Sequence, residues 1–139
     1  MAVDRIPLVR RRSEHGTAAV EFALVFPVLL LMVLGTIDFG YFFFVREIVG
    51  NAAREGARAG SVVEADAGNG AAVAAAEAAA MNYLSKGGLA NQGITASVVT
   101  VNSVESVEVS IAYPVGSITG FLGTIMPAKA CASAVMRWQ

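Results

Sequence analysis

Residues 17–45 read TAAVEFALVFPVLLLMVLGTIDFGYFFFV, and only Glu21 and Asp38 carry charge there. As an α-helix at about 1.5 Å per residue, the stretch is roughly 43 Å long, against about 30 Å of bilayer hydrocarbon. Its densest part, residues 22–37, has no charge and places apolar side chains on every face, unlike a helix lying half in water. Such a helix spans. A cleaved secretory signal would have a shorter apolar core with a small-residue site close behind it. Here the Ala-x-Ala pattern at Ala57–Ala59 lies 12 residues beyond the apolar run, with charged residues from Arg46 onward between them. A soluble core helix would need more chain than remains to wrap it. Arg5, Arg10, Arg11 and Arg12 precede the run, so the positive-inside rule keeps that end in the cytoplasm. Arg46 and Arg54 beyond the run weaken the bias without reversing it.

The chain has 139 residues, which leaves room for one small domain besides the anchor. It is 55% hydrophobic and 15% charged, with positive mean hydropathy, as expected if part of it sits in lipid. A net charge of −1 and the lack of a basic stripe give no footprint for nucleic acid. Cys131 is the one cysteine, so no disulfide forms within the chain; it is expected as a small buried side chain. An intermolecular bridge or a lone metal ligand are its alternatives. His15 is the one histidine, no Cys/His cluster has metal spacing, and no glycine-rich loop has a phosphate-binding setting. Glu105 and Glu108 fall on opposite faces of a strand. Neither catalysis, nor a cofactor, nor a small-molecule substrate is expected.

The junction before the helix carries the sharper signal. Gly16 stands directly ahead of the apolar run, with Glu21 and Phe22 following five and six residues later. Cutting after Gly16 would free the α-amino group of Thr17, which is i, i+4 to Glu21. That charge could pair with a carboxylate on a neighbouring helix and offset the cost of holding both in lipid. A carboxylate at mid-membrane costs up to ~2.5–3.5 kcal/mol, and less near the interface. Glu21 therefore either reaches the headgroups or has a specific cationic partner. Pro27 removes a backbone donor and is read either as a bend or as an ordinary membrane-helix proline.

Gly16-Thr17-Ala18-Ala19-Val20-Glu21-Phe22-Ala23-Leu24-Val25-x-Pro27-x-Leu29-Leu30, followed by Gly35, Asp38 and Gly40, resembles the type IV prepilins. With Asn51-Ala52-Ala53-Arg54-Glu55-Gly56-Ala57-Arg58-Ala59-Gly60 added, the chain more closely resembles the TadE-like pseudopilins of the tight-adherence, or Flp pilus, secretion system. TadF-like relatives share much of this pattern. The resemblance covers about 45 residues. It implies cleavage after Gly16 by an aspartic prepilin peptidase and a non-enzymatic role in pilus assembly and cell adhesion. Its implied partners are other pilin subunits and an inner-membrane assembly platform. The major Flp pilin is much shorter, so the resemblance favours a minor pseudopilin.

The helix is expected to continue through residues 46–60 as a stalk, with Gly60 and Ser61 ending it. Gly50, Ala53, Ala57 and Gly60 form a small-residue face, read either as a seat for another helix or as neutral positions on a solvated stalk. Residues 71–86 read as a second helix with Val73, Ala76, Ala80 and Leu84 along its apolar face. Residues 94–101 and 104–113 predict an antiparallel hairpin turning at Asn102-Ser103. Residues 129–138 predict a third strand with Ala130, Ala132, Ala134, Met136 and Trp138 on one face, small enough for the alanine-rich helix to sit close. Between the last two strands, residues 114–127 are apolar, and Ile118, Phe121, Leu122 and Ile125 suit a short helical turn. That segment either closes the core, offers a patch to a partner subunit, or rests on the outer leaflet.

The expected architecture is α+β: a long transmembrane helix extended into a stalk, then a helix packed on a three-stranded antiparallel sheet. The organisation divides as leader 1–16, membrane span 17–45, stalk 46–60 and extracytoplasmic domain 61–139. Two functions fit. One is a pilus subunit processed after Gly16, held in the cytoplasmic membrane before joining a fibre. The other is a permanently anchored accessory or binding protein that keeps its N-terminus.

Overall fold

The computed structural model describes residues 14–138, so Arg5, Arg10, Arg11 and Arg12 of the basic leader lie outside the described residues. Helix α1, Glu14–Ser61, runs unbroken through Pro27. Its two halves differ. From Gly16 to Val33 every residue is exposed, while from Leu34 onward one face is progressively covered by the rest of the chain. Ser61 Oγ donates to the Arg58 carbonyl (2.9 Å), which helps satisfy the last turn.

A 3-10 turn at Ala65–Ala67 leads into α2, Asn69–Lys86. Gly87 and Gly88 end α2. Gly88 takes a left-handed φ of 75°, its N–H bonds the Ser85 carbonyl, and the next N–H, of Leu89, bonds the Leu84 carbonyl. This closes the free carbonyls of the last turn and tucks Leu89 into the core.

Strands β1 (Ile94–Val101), β2 (Val104–Pro114) and β3 (Lys129–Arg137) form one antiparallel sheet in the order β1-β2-β3. Val101 pairs with Val104 across a two-residue turn in which Asn102 and Ser103 have φ of 51° and 65°. Two positive φ values define a type I′ turn, whose twist matches that of the strands. Serine is poorly suited to this conformation. Ser103→Gly is therefore expected to raise stability by about 0.5–1 kcal/mol, read as a higher melting midpoint.

Alternation along β2 sends Val107, Val109, Ile111 and Tyr113 into the core. Both helices pack on that face: α2 lies over β1 and part of β2, and α1 lies over β3 and β2. The helix resting on the alanines of β3 is thus α1, not the alanine-rich α2 expected from the sequence. Ala130 of β3 is buried, and Ala132 and Ala134 are partly buried in this layer. The reason is topological. A helix as long as α1 covers the strand beside it, and α2, joined to α1 by a short link, takes the next position on the sheet.

The two helices approach closely through small residues. Ala52, Ala53 and Ala57 of α1 and Ala72, Ala76 and Ala80 of α2 are fully buried. The buried stripe of α2 is Ala72, Ala76, Ala80 and Leu84; Val73 is only half-buried. Trp138 closes the far end of the core. Its indole N–H donates to the Val63 carbonyl (2.6 Å) and its backbone N–H to the Glu105 carbonyl (2.9 Å).

Candidate functional site

Three places carry the residues of interest, spaced along α1. The first is the start of the helix. Gly16, Thr17, Glu21, Phe22 and Pro27 all lie on the exposed half, with Thr17 and Glu21 one turn apart on one face. Phe22 and Phe26 stack as a tilted pair with ring centroids 5.3 Å apart. Among the described residues, no other element covers this surface. An 18-residue window of α1 has mean hydropathy 2.4 and no buried residues, so the helix is long and apolar enough to cross a membrane.

The second place is Asp38, which is fully buried. Its carboxylate accepts from Ser117 Oγ (2.7 Å), from Thr119 Oγ1 (2.6 Å) and from the Thr119 backbone N–H (3.0 Å). The β2–β3 connection is thereby stapled to α1. The same hydroxyls shape that connection: Ser117 Oγ accepts from Gly120 N (2.8 Å) and Thr119 Oγ1 from Phe121 N (3.3 Å). Gly120 turns the chain with a φ of 73°. Leu122 packs beside Gly35, where an added Cβ would stand 3.6 Å from its Cδ1. The helical turn expected around Ile118–Ile125 is confined to Leu122–Met126, where the Leu122 carbonyl accepts from Ile125 N and Met126 N. Ahead of it, side-chain bonds to the backbone compete with helix formation.

Asp38→Ala removes the acceptor shared by three donors. The connection is expected to lift from α1, and the Thr119 amide to exchange with solvent at least about tenfold faster, the factor one net hydrogen bond carries. Hydrogen exchange on the full chain in nanodiscs checks this; an unchanged Thr119 rate would mean the staple holds nothing.

The third place is the small-residue face. Ala53, Ala57 and Gly60 are buried, and the helix that approaches them is α2 of the same chain. Gly56, not singled out for this contact in the sequence, belongs to it: a Cβ there would stand 2.8 Å from the Ala76 carbonyl oxygen. Gly50 points elsewhere, half-buried beside a groove between α1 and β3 lined by Arg46, Glu47, Arg54, Cys131 and Ser133. Cys131 is exposed, contrary to the buried position expected of a lone cysteine. It sits on the outer face of β3, where alternation turns it away from the core. Among the described residues no group of three or more His, Cys, Asp or Glu side chains could hold a metal ion.

This arrangement defines a class: a protein with one membrane-length helix whose far half is built into the core of a small α+β domain. Residues 16–58 match the protein-family model described as TadE-like protein, which bears out the resemblance read in the sequence over that segment. The match ends inside α1, so α2 and the sheet lie beyond it. No significant match to a curated protein or to a solved structure was found.

Proposed function

We propose that the chain is a minor pseudopilin, a structural subunit for assembly of a Flp, or tight-adherence, type IV pilus. A prepilin peptidase removes residues 1–16, and the mature chain starts at Thr17. The observation that carries this reading is the Gly16–Glu21 opening on a helix whose surface up to Val33 is left uncovered by the other described residues. Lipid covers that surface first. In the fibre, the helices of neighbouring subunits replace the lipid, so the apolar half never meets water.

Glu21 meets the new Thr17 amine of a neighbour, and the ion pair reduces the cost of holding either charge among apolar helices. The arginines ahead of the span keep the leader in the cytoplasm, where the peptidase and the inner-membrane assembly platform act on it, and the folded domain faces the other side. Within this scheme residues 46–60 act as a stalk integral to the outer domain rather than a free spacer.

The test is the intact mass and N-terminal sequence of membrane-purified protein from cells with an active prepilin peptidase. Thr17 as the first residue is the expected result. A retained residue 1–16 segment would overturn the pseudopilin reading and leave a permanently anchored accessory protein.

A further inference from the structure

We infer that the β2–β3 connection is a second membrane contact, with Ile118, Phe121 and Ile125 inserted into the leaflet on the domain side of the bilayer that α1 crosses. Three observations carry this. The first is depth. If the hydrocarbon begins at Thr17, about 30 Å of helix at 1.5 Å per residue ends near residue 37. Asp38 is the next residue, and it is where the connection is stapled through Ser117 and Thr119. The segment is thus held at the edge of the hydrocarbon, below the exposed Arg46.

The second observation is chemical. Residues 114–128 carry no charge. Val115, Leu122 and Met126 turn inward and are buried, yet Ile118, Phe121 and Ile125 are 60%, 57% and 75% exposed. A turn this short had no need of three outward apolar side chains to close the core, since the inward set already does so. The segment's own hydroxyls accept from two of its backbone amides, those of Gly120 and Phe121, which lowers the cost of interfacial insertion. The third is continuity. Ile37, Phe39, Phe43 and Phe44 of α1 are also exposed around this level, so the outward side chains extend the apolar surface of the span sideways.

The inference does not depend on processing at Gly16 or on pilus assembly. Its consequence is orientation: a single helix lets a domain tilt and rotate, whereas a second contact sets the sheet at one angle to the membrane.

The test uses the full chain with Cys131→Ser, carrying one cysteine-linked nitroxide in place of Ile118, Phe121 or Ile125, or of Ser97 on β1 as a water-facing reference. Each variant is reconstituted into phosphatidylcholine vesicles at a protein-to-lipid ratio low enough to keep chains apart. Collision with dissolved oxygen over a water-soluble nickel chelate is expected to rise several-fold at the three loop sites relative to position 97. Nickel access at the loop sites equal to that at position 97 would overturn the inference. So would shielding from both reagents, because protein rather than lipid would then cover the segment. Three separate sites keep the result readable if one label disturbs the turn.

Discussion

Gly60→Val is expected to destabilise the folded chain by about 3 kcal/mol, at the upper end of what overpacking costs. The Cβ alone would stand 2.8 Å from Val107 Cγ1, 2.9 Å from the Ala72 carbonyl oxygen and 3.0 Å from Ala76 Cβ. Two of these neighbours belong to the body of α2, which cannot turn aside as the end of a flexible side chain does. The helices must separate, and the contact among Ala53, Ala57, Ala72 and Ala76 opens with them. The gain in helix propensity over glycine is under about 1 kcal/mol and offsets little. Gly50→Ala is the control. Its Cβ would meet only the Arg54 guanidinium, at 4.0 Å, so propensity dominates and stability rises by up to about 1 kcal/mol. Thermal unfolding of both variants in detergent decides the matter. Equal melting temperatures would show that the close approach of α1 and α2 contributes nothing.

Glu21→Ala has the largest expected effect on assembly. Under the proposed pairing, it leaves membrane insertion intact or slightly improved, since a carboxylate is removed from an apolar segment. It leaves the domain unperturbed, because Glu21 lies on the half of α1 that the domain does not touch. The partner amine of Thr17 in the next subunit then lacks its counter-charge in a low-dielectric setting, and incorporation is expected to be lost. Co-purification with other pilin subunits measures it, with membrane fractionation as the control for insertion. Recovery of the variant with those subunits at the level of the unaltered protein would refute the ion pair.

Much of the fold was legible because its signals are local. The hairpin turn at Asn102-Ser103 and the alternation of Val107, Val109, Ile111 and Tyr113 lie within a few residues of one another, and the strands form where that pattern places them. Cys131 departs from the burial expected of a lone cysteine because strand parity outweighs residue type: Ala130 and Ala132 face the core, so their neighbour between them faces out. In the sequence Asp38 stands out only as one of two charges in the apolar run and as one position of a family-like pattern. Its role was hidden because its partners are 79 and 81 residues away.

The sequence by itself determined that the chain opens with a helix long and apolar enough to cross a membrane, that it turns where glycine or a positive φ is needed, and which residues alternate in each strand. These follow from side-chain chemistry and short-range sterics, which act before any long-range contact exists. Only the tertiary structure decided that α1 rather than α2 covers β3, that the small-residue face is filled from within the chain, and that Asp38 anchors the β2–β3 connection. Those outcomes depend on which distant surfaces fit at van der Waals distance and which buried polar atoms find partners. Periodicity carries no information about either.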